Sequence, residues 1–236
     1  MSPRLMFVAL LALAAPAAAA QRTFTITSFD RLRVDGAFDV RLEVGAQTRG
    51  IVEGDADALD AVDLDVQGTT LIIRRNRNGA AERGSGGPAT PLVVRVAAPT
   101  LRTATVIGGG KLAISGIVRG QRIDLQVTGP GKIDAQAVDA DELNVTVLGA
   151  GEVAVGGRAR RARLLTSGSG TITATALTTN DLAVRLDGPG ETSATARYTA
   201  NLTSTGLGRI TVAGSPACIT NAVAGGPISC GNVIAP

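Results

Sequence analysis

The sequence contains no histidine and no tryptophan, and tyrosine occurs once, at Tyr198. Phenylalanine occurs four times, cysteine twice and lysine twice, at Lys111 and Lys132. Each scarcity removes a class of chemistry. Without histidine there is no imidazole to act as general base or metal ligand near neutral pH. Two cysteines without a histidine do not build a tetrahedral zinc site. With aromatics at 2% of the chain, stacking platforms for single-stranded nucleic acid are missing. A net charge of +3 over 236 residues also lacks the basic footprint of a nucleic-acid binder. Beyond the first twenty residues no stretch is apolar enough to span a bilayer, which takes roughly 20 residues. The core must come from Val, Ile, Leu and Ala.

What the chain has is glycine, 30 residues of it, much at fixed spacing. A Gly-x-Gly phrase followed by a polar and usually an aliphatic residue occurs six times. The copies are Gly108 with Gly110, Gly129 with Gly131, Gly149 with Gly151, Gly168 with Gly170, Gly188 with Gly190, and Gly206 with Gly208. The steps between them are 21, 20, 19, 20 and 18 residues. A fixed period of this length marks a repeat architecture. Aligned on the first glycine, aliphatic residues fall two, four and six positions before it, as in Val147, Val145 and Leu143. They recur four and six positions after it, as in Val153 and Val155, with a small residue, Gly157, eight after.

Period-2 alternation on both sides of a tight turn implies two strands per repeat, each with one inward face. One repeat cannot bury that face alone, whereas stacked repeats can. The pattern predicts an all-β fold: a parallel β-helix, or solenoid, with two main strands per coil of about 20 residues joined by Gly-x-Gly turns. Parallel crossovers are overwhelmingly right-handed, so a right-handed coil is expected. In the copies Gly129-Pro130-Gly131 and Gly188-Pro189-Gly190, proline fixes a negative φ at the second position. The positive φ is therefore assigned to the second glycine, which is the order of a type II turn. The residue after each turn, from Lys111 and Lys132 to Glu152 and Arg209, forms an exposed ladder in which Lys132 can pair with Glu152.

The rest of the chain frames these repeats. Residues 1–20 read as a secretory signal: Arg4, an apolar run from Leu5 to Ala15, and Ala18-Ala19-Ala20 as a small-residue cleavage site. Residues 21–236 read as one domain. Within it, 21–75 hold short alternating strands, Asp55–Val62 has the N-cap signal for one or two helical turns, and 76–91 form an exposed loop. Regular repeats follow over 92–214 and a C-terminal cap over 215–236. Cys218 and Cys230 both lie in that cap, where an oxidising compartment would favour a disulfide between them.

The Gly-x-Gly repeats, the segment FDRLRVDGAFDVRLEVG over Phe29–Gly45 and the secretion signal together resemble the putative autotransporter adhesin, head GIN domain family, over roughly Phe29 to Gly214. The resemblance implies a pectin-lyase-like β-helix without recognised catalytic residues and a role in adhesion at the bacterial surface. No run of amphipathic strands with an aromatic girdle follows the repeats, as a membrane barrel would require.

Candidate sites are few. Six Gly-x-Gly phrases between strands are not the single strand-to-helix fingerprint of a dinucleotide site, so no cofactor is expected. A calcium-binding nonapeptide array has the wrong period. Asp124, Asp134, Asp139, Asp141, Glu142 and Glu152 supply the carboxylates that a polysaccharide lyase or hydrolase would need, with the Asp139–Glu142 corner as the place for them. Arg158, Arg160, Arg161 and Arg163 concentrate positive charge in the next corner and form a candidate patch for an anionic ligand. The leading reading is a non-enzymatic protein, secreted or periplasmic, that contacts a surface glycan or envelope component. The alternative is a polysaccharide-active enzyme on the same scaffold. Self-association through coil ends is a third expectation.

Overall fold

The computed structural model describes residues 20–54, 59, 62–76 and 92–231. Of the signal only Ala20 falls within them, and of the expected loop only Asn76. The expected helical turns over Asp55–Val62 are represented by Leu59, helical and buried, and by Val62, which opens a strand. Among the described residues no helix is long and apolar enough to cross a membrane.

The molecule is a β-solenoid of about six turns, about 20 residues apart. Its regular part runs through β8 (Thr103–Ile107), β9 (Lys111–Ser115), β10 (Val118–Thr128), β11 (Lys132–Leu148), β12 (Glu152–Ser167), β13 (Thr171–Asp187), β14 (Glu191–Ser204) and β15 (Arg209–Gly214). Each pairs in parallel with the segment one coil away. Inward residues stack in columns: Leu32, Ala104, Leu125, Val145, Leu164, Val184 and Leu202 form one, in register. All seven are buried. Burying a Val or Leu side chain stabilises by about 1.5–3 kcal/mol, so aliphatic columns supply the core of the regular coils, and the expected Val, Ile, Leu and Ala core is extended by two buried aromatics near the amino end, Phe29 and Phe38.

The two strands expected per coil run into one another. Lys132 to Leu148 is a single strand from turn to turn, bent by a register shift between Ala135 and Val138. The next coil shifts between Ala154 and Gly157. Such bulges add residues to one strand and bend it, which turns the corner opposite the glycines.

The type II assignment is corrected. The first glycine of five copies carries the positive φ, from +86° at Gly108 to +120° at Gly188; the second glycines do not. Proline fixes only its own φ, so GPG leaves open which flanking glycine is the left-handed one. The second glycine is required by space. At Gly151 a Cβ would lie 2.4 Å from Val127 Cγ1 and 2.8 Å from the carbonyl oxygens of Gly129 and Gly131. The turns are themselves hydrogen-bonded in a ladder: Gly129 N–H donates to Leu148 O at 2.8 Å, and Glu152 N–H to Gly131 O at 2.9 Å.

Two further turns join the ladder. Gly36 (φ +123°) donates its N–H to Ile107 O at 2.9 Å. Gly226 packs so closely that a Cβ there would meet Gly206 O at 2.5 Å. Their phrases, Gly36-Ala37-Phe38 and Ala224-Gly225-Gly226, each lack one of the two glycines.

The amino-terminal part comprises β1 (Ala20–Phe24), β2 (Arg31–Asp35), β3 (Asp39–Val44), β4 (Arg49–Gly54), β5 (Val62–Gln67), β6 (Thr70–Arg75) and β7 (Val93–Ala98). Spatial order departs from chain order here. β2 lies between β6 and β8, and β3 between β7 and β9, all parallel. The chain passes from β7 to β8 across this inserted coil, where Arg102 N–H donates to Asp30 O at 2.7 Å. Antiparallel strands close the end: β5 on β6, β4 on β7, and β1 on β4.

At the other end β16 (Ala217–Ala222) and β17 (Ile228–Cys230) stack on β14 and β15. Cys218 and Cys230 are joined in a disulfide with their Cα atoms 6.4 Å apart. They continue the inward columns of Ala200 and Val212, so the bond crosses the open end of the core.

A candidate ligand groove at the arginine-rich corner

Past each bulge the chain makes a short third side before entering the long limb. In β11 this side is Val138-Asp139-Ala140, with Val138 and Ala140 inward and Asp139 outward. In β12 it is Gly157-Arg158-Ala159. Parallel register then stacks outward residues of successive coils, and the signs alternate: Arg119 on Asp139 on Arg158, and Arg122 on Glu142 on Arg161 on Asp181. Opposite charges facing across neighbouring strands are favourable, and like charges are not.

The four arginines expected to form one patch are thereby divided. Arg158 makes a two-pronged contact with Asp139, Nε to Oδ1 and Nη2 to Oδ2, both at 2.7 Å. Arg160 Nη1 lies 3.4 Å from Asp141 Oδ1. Arg163 pairs with Glu142. Arg161 makes no ion pair among the described residues. The carboxylates are committed in the same way. Asp139 also faces Arg119 Nε at 3.6 Å. The hydrogen bond from Arg158, aided by the positive charges of Arg158 and Arg119, holds the Asp139 carboxyl below its ordinary range, and Asp139 in turn raises Arg158. A glycosidase needs one carboxylic acid kept protonated by a raised pKa; Asp139 is pushed the other way. Of the other acidic residues named from sequence, Asp124 pairs with Arg122 and Glu152 with Lys132 at 3.0 Å, and Asp134 accepts from Gln136. Among the described residues, no three side chains of a metal-ligating type gather.

Around this corner the surface opens into a groove of about 640 Å³, lined by Arg119, Asp139, Asp141, Arg158, Arg160, Thr178, Asn180 and Arg197 together with Gly120, Ala140 and Ala159. Four guanidinium groups against two carboxylates leave it positive. Arg197 makes no ion pair among the described residues, and Tyr198 beside it is 61% exposed. Arg161 and Arg163 lie outside the lining. Sequence reading missed Arg119, Thr178, Asn180 and Arg197 because they come from other coils. Reading down one column at the repeat period would have found Arg119, one coil before Asp139.

The twelve turn glycines line the opposite corner and present backbone to one another, with no cradle for a phosphate. Cys218 and Cys230 lie at the coil end, beyond the last strand that lines the groove, and outside its lining.

Solved structures of other proteins share this solenoid. A putative adhesin from Bacteroides fragilis is 20% identical, with a TM-score of 0.80 over 92% of this chain and 98% of that one. A putative lipid binding protein from Parabacteroides distasonis is 21% identical, with a TM-score of 0.73 over 91% and 97%. A putative adhesin from the same species is 16% identical, with a TM-score of 0.72 over 91% and 98%. At these identities the likeness is one of fold. No curated protein matches by sequence. Residues 28–216, from the segment before β2 to the residue before β16, match the family described as putative auto-transporter adhesin, head GIN domain. On that match, this chain is a member of the head GIN domain family of putative auto-transporter adhesins.

Proposed function

We propose that the protein is a non-enzymatic interaction module of the bacterial cell envelope, secreted or periplasmic once residues 1–20 are removed. Its ligand would be a glycan or envelope component carrying carboxylate or phosphate groups, held in the groove of Arg119, Arg158, Arg160 and Arg197. The observation that carries this reading is the charge state of that groove. Its carboxylates are tied up in ion pairs, so they are poor acids or bases, while positive charge is left over to meet an anion. Guanidinium groups suit both carboxylate and phosphate because they offer paired N–H donors. The family name and the fold relatives described as adhesins or as lipid-binding support a contact role.

Two probes separate the sources of the anion: a carboxylated polysaccharide and vesicles containing an anionic phospholipid. Binding of either, weakened about tenfold by losing one charge-assisted contact in Arg197→Ala, is the expected result. Turnover of a polysaccharide, or affinity unchanged in both Arg197→Ala and Arg160→Ala, would overturn it. Cell fractionation with protease added outside intact cells locates the protein.

A further inference from the structure

The two ends of the solenoid are finished differently. At the amino end the outermost strands, β1 and β5, each pair antiparallel on one side and, among the described residues, with no strand on the other, and these edge strands carry charge, including Arg22, Asp63 and Asp65. At the carboxyl end β16 pairs with β14 on one side and, among the described residues, with no strand on the other. Every residue of β16 is exposed. Ile219 is 69% and Val223 71% exposed. No charged residue follows Arg209 in the sequence.

A free strand edge is a template for pairing, and proteins that stay single blunt it with charge, proline within the strand, a bulge or a covering segment. Pro216 and Pro227 stand before β16 and β17, not within them. The edge therefore has the composition of an interface and, among the described residues, none of these guards.

We propose that two copies of the chain join at this end, β16 against β16, antiparallel about a two-fold axis. A two-fold contact between carboxyl ends is favoured over continued head-to-tail stacking because the edge strands at the amino end carry charge, which guards a strand edge against pairing. A two-fold contact sets the same patch against itself, and a charge-free patch meets that condition without like-charge repulsion. Side-chain facing and the free backbone groups together set the register. Cys218, Thr220 and Ala222 continue the inward columns of Ala200, Leu202 and Ser204, whereas Ile219 and Asn221 lie outward above Asn201 and Thr203. Val223 N–H donates to Ser204 O, so by strand alternation the N–H and C=O groups of Cys218, Thr220 and Ala222 face the free edge. Antiparallel partners must share a face, and only with Thr220 opposite Thr220 on the axis do all three of these residues find a partner. Cys218 then faces Ala222, and Ile219 faces Asn221.

The test uses the full protein with its disulfide intact and follows mass by sedimentation over a roughly hundredfold range of concentration. The expected result is a monomer–dimer equilibrium. Thr220→Lys and Thr220→Glu each place like charges on the axis and should weaken the dimer at least about tenfold. Thr220 is exposed in the single chain, so both variants should melt like the parent under monomeric conditions. Mixed in equal amounts, the two variants should restore a dimer as the Lys–Glu pair. The proposal is overturned by a parent that stays monomeric throughout. It is equally overturned if the edge-facing amides of Cys218, Thr220 and Ala222 are protected even where the protein is monomeric, which would mark a segment of the same chain covering the edge. Variants that dimerise like the parent, or whose mixture stays monomeric, also overturn it.

Discussion

Each coil turns at two principal corners, and they solve the same problem by different means. At the Gly-x-Gly corner the backbone packs on backbone, as when a Cβ at Gly151 would overlap both Val127 and the carbonyl of Gly129. At Gly151 no side chain fits, although the residue between the two glycines varies, as Pro130, Ala150 and Ser169 do. At the bulged corner the turn is made by a register shift, and side chains point outward into the groove. Composition there changes from coil to coil: Asp139 and Asp141, then Arg158 and Arg160, then Thr178 and Asn180. One corner holds the shape constant, so the other can carry chemistry.

The comparison can be broken most severely at Gly151. Gly151→Val should cost about 3 kcal/mol or more, the upper range for overpacking against atoms that cannot yield, read as a fall in the denaturation midpoint. A variant as stable as the parent would remove the close-packing account. Gly149→Ala sharpens the distinction between the two glycines. Its φ is +106° and a Cβ would sit 3.4 Å from Gly129 Cα, so the penalty is conformational, about 1–2 kcal/mol. At the variable corner Arg158→Gln should leave the melting temperature almost unchanged, because exposed ion pairs contribute little, while weakening ligand binding.

The smallest effect is electrostatic. Asp139 titrates below the ordinary 3.8 because Arg158 donates to its charged form. A carboxyl depressed in the folded state contributes stability that is present above its unfolded pKa and lost as pH falls through the folded value. The contribution of Asp139 should therefore persist at pH 5 and fade only below about pH 3.8. Carbon NMR titration of the Asp139 carboxyl checks this, and Arg158→Gln should return it toward its ordinary value.

Much of the fold was legible because it repeats. Period-2 columns flanking Gly-x-Gly specify an inward face at each strand, and the coil length follows from the steps. Three things were not legible, for physical reasons. Turn type was missed because proline constrains its own φ and not its neighbour's. Gly36 and Gly226 were missed because one of two glycines can be replaced where packing or φ relaxes. Polar residues at column positions, such as Thr166 and Thr192, interrupt the aliphatic pattern in the sequence. Thr166 and Thr192 instead meet inside the core, Oγ1 to Oγ1 at 3.0 Å, one answering the other across two coils. The groove was half legible. Arg158 and Arg160 stood out as a run, but the run counted Arg161 and Arg163, which the strand's alternation and ladder send elsewhere. The partners that matter are a coil away and so distant in sequence.

The coil of β2 and β3, held between strands that come later in the chain, sets the order in which this molecule can assemble. Most solenoids can grow from any nucleus by adding the next coil to the last. Here Leu32 and Val40 must wait for Leu71 and Val94 on one side and Ala104 and Leu112 on the other. Propagation from the amino end has no neighbour for β2 until residue 75 has been made, and the inserted coil is not covered on both sides until residue 115. The same threading acts in reverse under load: coils can peel away one at a time from the carboxyl end, but the amino end can give way only by pulling a coil out from between two others.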